Sequence, residues 1–126
     1  MASIKLAVPT MGAAGLTAER SGHFGHCDCF TVVDIVDGVV AEETTMIANP
    51  PHEEGGCLRP VGLLAEAGCD AIVAAGMGMR PLMGFNQAGI TVYYDAEHPI
   101  VGDAARAVAA GEAPIMSADQ ACNHHR

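Results

Sequence analysis

The most reactive side chains of this sequence are concentrated between positions 21 and 30. The segment reads Ser-Gly-His-Phe-Gly-His-Cys-Asp-Cys-Phe and contains two imidazoles, two thiols and a carboxylate. Histidine and cysteine bind late first-row metals and iron–sulfur clusters, and glycine lets the backbone approach a bound group closely. The composition of this segment therefore predicts a metal-ligating loop.

Cys27 and Cys29 are two positions apart, so in an extended chain both thiols point to the same face. His23 and His26 lie in the same segment, which favours shared ligation of one metal or cluster. The alternative is that one or both thiols are small buried residues at the start of a strand, a common role of free cysteine. Structural zinc sites usually use Cys-x2-Cys pairs, so a zinc site of that kind is not expected.

Cys57 is a second candidate, because it lies at the predicted amino end of a helix, directly after Gly55 and Gly56. Exposed amide groups and the helix dipole at such a position stabilise a thiolate. The alternative is an inert capping residue. A nucleophilic Cys57 with His23 or His52 as base would make the protein a thiol-based redox or transferase enzyme, but no nucleophile-elbow motif surrounds it.

Half of the six Lys and Arg residues fall close to these segments. They are Arg20, Arg59 and Arg80. The last two lie at predicted helix amino ends, where the helix dipole disfavours a cation by about 0.3–1 kcal/mol. An anionic ligand, held by these guanidinium groups and by the amides of Gly76 and Gly78, would compensate this cost. Pairing with Glu53, Glu54 or Asp95 would do the same, so the pattern leaves both possibilities open.

Length and charge limit the remaining possibilities. A chain of 126 residues predicts one domain around a single core. A net charge of −9 argues against nucleic acid or an anionic membrane as the main partner. The amino terminus lacks a signal-peptide pattern and no apolar run reaches membrane-spanning length, so we expect a cytoplasmic protein. Its five cysteines are then expected to be free thiols or metal ligands, with Cys69 in the core.

The hydrophobic pattern predicts eight elements that position these groups. Strands are expected at 4–8, 30–36, 39–47, 71–75 and 90–94, with Asp37-Gly38 as a hairpin turn. Helices are expected at about 58–67, 80–88 and 101–110. We therefore predict an α/β fold with a mixed five-stranded sheet in the order 3-2-1-4-5, strand 2 antiparallel, and helices on its faces. The His-Cys loop, the Gly-Gly-Cys loop and the turns after the last two strands then gather at one edge, where open α/β sheets bind ligands.

Five segments, in this order, resemble blocks of the dinitrogenase iron–molybdenum cofactor biosynthesis family. They are His23-Phe24-Gly25-His26 with the strand that begins at Phe30, Gly55-Gly56-Cys57, Gly68 to Val73, Gly76-Met77-Gly78, and Gly89 to Tyr93. The resemblance covers residues 4–111. It implies a three-layer ribonuclease-H-like fold without nuclease activity, and residues 4–8 indeed lack the carboxylates that a two-metal nuclease needs near its first strand.

The resemblance implies a non-catalytic carrier or accessory protein that binds an iron–sulfur or molybdenum-containing cluster during cofactor assembly for nitrogen fixation. A client or donor protein in that assembly would be its partner. His23 and Cys57 match the family motifs and would contact the cluster. His26 stands where the family usually has arginine, and Cys27 and Cys29 are additional thiols, so the bound species need not be the nitrogenase cofactor itself.

These arguments give two sets of candidate site residues. The predicted metal ligands are His23, His26, Cys27, Cys29 and Cys57, and the predicted cluster contacts are His23, Cys57, Arg59, Gly76, Gly78 and Arg80. The domain is predicted to span residues 1–111, followed by a flexible tail, 112–126, whose Cys122, His124 and His125 could chelate a metal. A third hypothesis, besides the carrier and the thiol enzyme, is a regulatory module whose metal site holds loops together.

Overall fold

The fold is a mixed sheet with helices packed on it, as predicted. The computed structural model describes residues 3–12, 15–20, 29–48, 59–75, 79–95 and 97–116. Its strands are β1 Ser3–Met11, β2 Glu19–Arg20, β3 Cys29–Val36, β4 Val39–Ala48, β5 Ala71–Ala74 and β6 Thr91–Tyr94, and its helices are α1 Arg59–Glu66, α2 Met79–Gln87 and α3 Val101–Ala109. In these ranges no helix has the length and apolar character that a membrane span requires.

The sheet is organised around β1. It pairs antiparallel with β3 and parallel with β5. The longer strands follow the order β4-β3-β1-β5-β6. The predicted count of five strands was wrong, because the short strand β2 adds to the end of β1 and makes six. Pro9 was expected to end the first strand. Instead it lies where β1 changes its neighbour from β5 to β2, a position at which a strand tolerates the missing N–H.

Helices cover both faces of the sheet, which gives three layers. On one face, α1 and α2 bury Leu64, Leu82 and Phe85 against Phe30 and Ile72. On the other face, α3 presents small residues to β1, β3 and β5; they include Val101, Ala104, Ala105 and Val108. Because β5 is enclosed from both sides, all four of its residues are buried, and its sequence shows no polar alternation.

The predicted hairpin between β3 and β4 is confirmed. Asp37 and Gly38 both have positive φ angles, 54° and 82°, as a two-residue type I′ turn requires. Beyond the turn, β4 forms an edge of the sheet, and Glu42 and Glu43 are exposed on it. Charged side chains at this position discourage pairing with another sheet edge.

The chain continues along β6 after α3. The amide of Tyr94 donates to the Pro114 carbonyl and the amide of Met116 donates to the Val92 carbonyl, both at 2.7 Å. The Met116 side chain is 3% exposed and belongs to the α1/α2 core. Residues 114–116 of the predicted tail therefore run antiparallel to β6, whereas residues 117–126 lie outside the described ranges.

The packing on α2 predicts a large difference between two residues of the same helix. Replacing Phe85, which is fully buried, with alanine should lower the free energy of unfolding by about 3–5 kcal/mol because it leaves a cavity. Met83 is 51% exposed, so Met83→Ala should change that free energy by less than about 0.5 kcal/mol. Urea unfolding followed by circular dichroism measures both, and equal losses would contradict this packing of α2.

Candidate functional site

One edge of the sheet collects the ends of most elements, and we call it the rim. The parallel pairing of β1, β5 and β6 and the antiparallel pairing of β3 place the carboxyl ends of β1, β4, β5 and β6 there, together with the amino end of β3. Helices α1 and α2 also begin at the rim, since each leads to a strand that starts at the opposite edge. Consequently segments 21–28, 49–58 and 76–78 all connect element ends that lie at this rim.

Four residues form a paired row across the rim. Ala48 pairs with Cys29, Cys29 pairs with Thr10, and Thr10 pairs on its other side with Arg20. Since neighbouring strands lie about 4.8 Å apart, the two ends of segment 21–28 are separated by roughly 10 Å. Ala48, which immediately precedes segment 49–58, stands beside Cys29 in the same row. The end of segment 21–28 and the start of segment 49–58, the two segments that carry most of the predicted ligands, are therefore next to each other.

Two buried threonines hold this row together. The Thr10 hydroxyl donates to the Val8 carbonyl at 2.8 Å and accepts the amide of Thr31 at 3.1 Å. The two hydroxyls lie 2.8 Å apart, and the Thr31 hydroxyl also accepts the amide of Gly15 at 3.2 Å. Both side chains are fully buried. The network thus joins β1, β3 and the chain that follows β1 at the rim.

Cys29 is the predicted metal ligand that the described residues include. It is the first residue of β3 and 3% exposed, and its thiol donates to the Gly12 carbonyl at 3.6 Å. Its burial matches the alternative that the sequence left open, a small core residue at the start of a strand. The other predicted site residues outside the helices lie beyond the described ranges; they are His23, His26, Cys27, Cys57, Gly76 and Gly78.

Cys69 lies in the core, as expected. It is buried between α1 and β5. Burial raises the pKa of its thiol above the ordinary value, and the nearby Asp70 raises it further, while Lys5 acts in the opposite direction. A neutral thiol in apolar surroundings is a poor nucleophile and a poor metal ligand, so Cys69 takes no part in chemistry at the rim.

The amino ends of α1 and α2 carry the arginines that the sequence placed there. Arg59 is the first residue of α1, and Arg80 is the second residue of α2. The first turn of each helix contains no acidic residue, whereas the first turn of α3 contains Asp103. The positive ends of two helix dipoles therefore meet basic residues rather than acids at the rim, an arrangement that favours an anion.

The turn after β6 contains a side-chain pair that was not predicted from the sequence, in which Asp95 was considered only as a possible partner of the arginines. Asp95 follows the last residue of β6 and is 7% exposed, and its carboxylate contacts Nδ1 of His98 at 2.9 and 3.0 Å. A cavity of about 350 Å³ lies beside this pair, between the turn and the end of α3; it is lined by Tyr94, Asp95, Glu97, His98, Ala107, Glu112, Ala113 and Pro114. The spacing Asp-x-x-His directly after the predicted last strand was the available signal.

The described residues alone do not form a metal site. Among them, no group of three or more His, Cys, Asp or Glu side chains is arranged to hold a metal ion. A metal or cluster at the rim would therefore require ligands from segments 21–28 and 49–58, which contain His23, His26, Cys27 and Cys57. Thiolates and imidazoles are suitable donors for iron, copper or a metal–sulfur cluster.

Comparison with known proteins identifies one family and several solved structures. The model of the family described as dinitrogenase iron-molybdenum cofactor matches residues 4–111. The apo form of the orange protein from Desulfovibrio gigas is 24% identical with a TM-score of 0.77, over 90% of this chain and 92% of the other. The protein PH0822 is 24% identical with a TM-score of 0.73, over 90% and 96%. A putative NifB protein from Thermotoga, of the DUF35 family, is 21% identical with a TM-score of 0.68, over 89% and 92%.

The TM-scores, over nearly complete coverage of both chains, establish the fold. Because the sequence identities are below 25%, these likenesses show the fold alone. No curated protein matches the chain significantly.

The threonine network predicts a specific loss of stability at the rim. Thr31→Val removes a buried hydroxyl that accepts the Gly15 amide and pairs with Thr10, so the free energy of unfolding should fall by about 1–3 kcal/mol. Thr45→Val is a matched control on the exposed edge strand and should change it by less than about 0.5 kcal/mol. Chemical denaturation measures both variants. Equal effects would show that the buried hydroxyls do not stabilise the rim.

The raised pKa of Cys69 predicts an alkaline loss of stability. In the unfolded chain this thiol ionises at its ordinary pKa, whereas in the folded protein it stays protonated to higher pH. The unfolded state then binds fewer protons, so stability falls as the pH rises above the ordinary thiol pKa and is unaffected below it. Cys69→Ala should reduce this alkaline slope, as measured by urea unfolding under reducing conditions at several pH values. An unchanged slope in Cys69→Ala would show that the Cys69 thiol does not cause the alkaline loss of stability.

Proposed function

Because this chain belongs to the dinitrogenase iron-molybdenum cofactor family, we propose that it is a non-catalytic carrier or accessory protein in cofactor assembly. Its cargo in this proposal is an iron–sulfur or molybdenum-containing cluster, held at the rim and passed to or from a client protein. We also propose that the three-layer fold is of the ribonuclease-H-like type.

The observation that carries the proposal is the paired row at the rim. Arg20 and Cys29 flank segment 21–28, and Ala48 adjoins Cys29 at the start of segment 49–58. The first segment contains His23, His26 and Cys27, and the second contains Cys57. Donors that are far apart in the sequence thus belong to two segments of which one ends beside the start of the other, which supports binding of a shared ligand.

Within the predicted ligand set, we assign His23, His26, Cys27 and Cys57 to the cluster. The burial of Cys29 and the contact of its thiol with the Gly12 carbonyl support a different role for this residue, which is to hold the start of β3 in the core. The metal ligation that the sequence predicted for Cys29 can be tested by substitution.

The charge distribution supports an anionic cargo. The protein carries a net charge of −9, yet α1 and α2 begin at the rim with Arg59 and Arg80 and without an acid in their first turns. Metal–sulfur clusters held by thiolates are negatively charged, and helix amino ends with guanidinium groups stabilise such charge. The amides of Gly76 and Gly78, which directly precede α2, are proposed to contribute in the same way.

Two comparisons agree with an association with a cofactor. The orange protein of Desulfovibrio gigas is described in an apo form, and the Thermotoga protein is described as a putative NifB protein. We propose a cytoplasmic location for this chain, because a reducing compartment keeps the thiols available as ligands.

Separate serine substitutions at Cys27 and Cys29 test the ligand set. After anaerobic reconstitution with iron(II), sulfide and molybdate, Cys27→Ser should bind metal about tenfold more weakly, because it loses a thiolate ligand. Cys29→Ser should keep its metal content but lose about 1–2 kcal/mol of stability, because it buries a hydroxyl. Metal analysis, the visible absorption spectrum and urea unfolding distinguish the two results.

This experiment needs a background without the histidines of the tail. His124→Gln and His125→Gln should be present in every protein compared, so that the tail does not contribute to the metal content. Full metal content in Cys27→Ser would remove Cys27 from the ligand set, and loss of metal in a stable Cys29→Ser would restore Cys29 to it. A wild-type protein that takes up no metal would contradict the carrier function itself.

A further inference from the structure

The buried carboxylate of Asp95 organises the turn after β6. One of its oxygens accepts the amide of Glu97 at 3.1 Å, an Asx-type turn, and both oxygens lie within hydrogen-bond distance of Nδ1 of His98. Because a carboxylate can only accept, Nδ1 carries the proton. The Asp95 amide in turn donates to the Ala74 carbonyl of β5 at 3.1 Å. The turn is thereby fixed to the sheet at one end and to its own carboxylate at the other.

The fixed turn presents two successive carbonyls to Arg20. The Nε of Arg20 donates to the His98 carbonyl at 2.9 Å, and the main-chain amide of Arg20 donates to the Pro99 carbonyl at 2.6 Å. Arg20 is the last residue before segment 21–28 and the end member of the paired row. The turn therefore contacts the chain at the point where it enters the proposed ligand loop.

The contact between residues 98–102 and the chain before segment 21–28 extends from Arg20 back to Leu16. Ile100 bridges to Glu19, the amide of Val101 donates to the Ala18 carbonyl, and the amide of Gly102 donates to the Leu16 carbonyl at 2.7 Å. A Cβ at Gly102 would lie 3.0 Å from the Leu16 carbonyl oxygen, so a larger residue there would require the main chain at Leu16 to shift by a few tenths of an ångström. Residues 16–20 are thus held on one side by residues 98–102, and at Glu19 and Arg20 also by β1.

The two ends of segment 21–28 are secured differently. Its exit, Cys29, belongs to an eight-residue strand that is paired on both sides. Its entry, Arg20, belongs to a two-residue strand, and so short a pairing is weak without further support. The hydrogen bonds from the turn supply that support. The direction in which the chain enters segment 21–28 consequently depends on Asp95 and His98.

We infer that Asp95 and His98 are positioning residues of the proposed cluster site, acting through Arg20 on the entry of segment 21–28. The inference rests on the proposed function. Metal sites are sensitive to such support, since residues that orient the ligands commonly change metal affinity by about 10–100-fold. Loss of positioning would weaken cluster binding, whereas removing the negative charge of Asp95 near an anionic cluster would strengthen it. Weaker binding after loss of Asp95 would therefore indicate lost positioning, whereas loss of Arg20 also removes a positive charge.

The test compares cluster affinity in two pairs of matched variants. Asp95→Ala and Asp103→Ala each remove a carboxylate, and Arg20→Met and Arg106→Met also form a matched pair. Asp103 and Arg106 form an exposed ion pair on α3, 2.7 Å apart, and neither is among the contacts of Arg20 named above. After reconstitution with iron(II), sulfide and molybdate, Asp95→Ala and Arg20→Met should bind the cluster about tenfold more weakly and shift its visible absorption spectrum. The two control variants should match the wild type.

A second measurement separates positioning from general loss of structure. All affinities are measured well below the melting temperature of each variant, and hydrogen exchange of the Arg20 amide is followed in the metal-free protein. Exchange at Arg20 should become about tenfold faster in His98→Ala, while amides of β5 and β6 keep their rates. His98→Asn should restore much of the affinity and protection, because its side-chain amide can donate to Asp95 in place of Nδ1.

The possible failures are distinguishable. If the wild type loads the cluster and Asp95→Ala binds it as tightly as Asp103→Ala, the positioning role is overturned and the proposed function stands. Unchanged exchange at Arg20 in His98→Ala would likewise overturn the role of the turn. If the wild type takes up no metal, the proposed function fails, and this inference fails with it.

Discussion

The pairing of Thr10 on both of its sides is the constraint on which the rim depends. Its main chain lies between Arg20 and Cys29, and its hydroxyl joins the Val8 carbonyl, the Thr31 amide and the Thr31 hydroxyl. All of these contacts are buried, where an unsatisfied polar group is costly, so they must form together. Their formation determines the separation of the two ends of segment 21–28 and places Ala48 next to them.

This constraint gives the rim a rigid base. The base consists of strand ends whose side chains are buried, among them Cys29, Phe30 and Thr31. Segments 21–28 and 49–58, which contain the predicted histidine ligands and the other predicted thiol ligands, begin or end at this base. Cys29 and Cys69, the two cysteines within the described ranges, are both buried, so burial decides their role.

Much of the fold could be predicted because it depends on local patterns. Apolar runs, the Asp37-Gly38 turn and the glycines after each helix located five strands and three helices to within a few residues. The sequence did not reveal β2, because Glu19 and Arg20 have no strand pattern and are extended only because β1 and residues 98–102 offer them partners. The extension of β1 past Pro9 was missed for the same reason. Tertiary hydrogen bonds override local preference at both places.

In the candidate site, too, local features were predicted and features that depend on tertiary contacts were not. The helix-end positions of Arg59 and Arg80 followed from helical periodicity and were predicted correctly. Whether Cys29 faces the core depends on the register of β3 with β1 and β4, and spacing alone does not give that register. The pairing of Asp95 with His98 was missed because its importance arises from Arg20, which lies 78 positions before His98 and contacts the His98 carbonyl only in the folded chain.

The last described residues run away from the rim along β6. Pro114 lies beside Tyr94 and Met116 beside Val92, so between these two residues the chain runs from the carboxyl end of β6, at the rim, toward the opposite edge of the sheet. Met116 is held there by its buried side chain as well as by its amide. The anchoring of Met116 therefore depends on β6 and on the α1/α2 core, and not on the paired row at the rim.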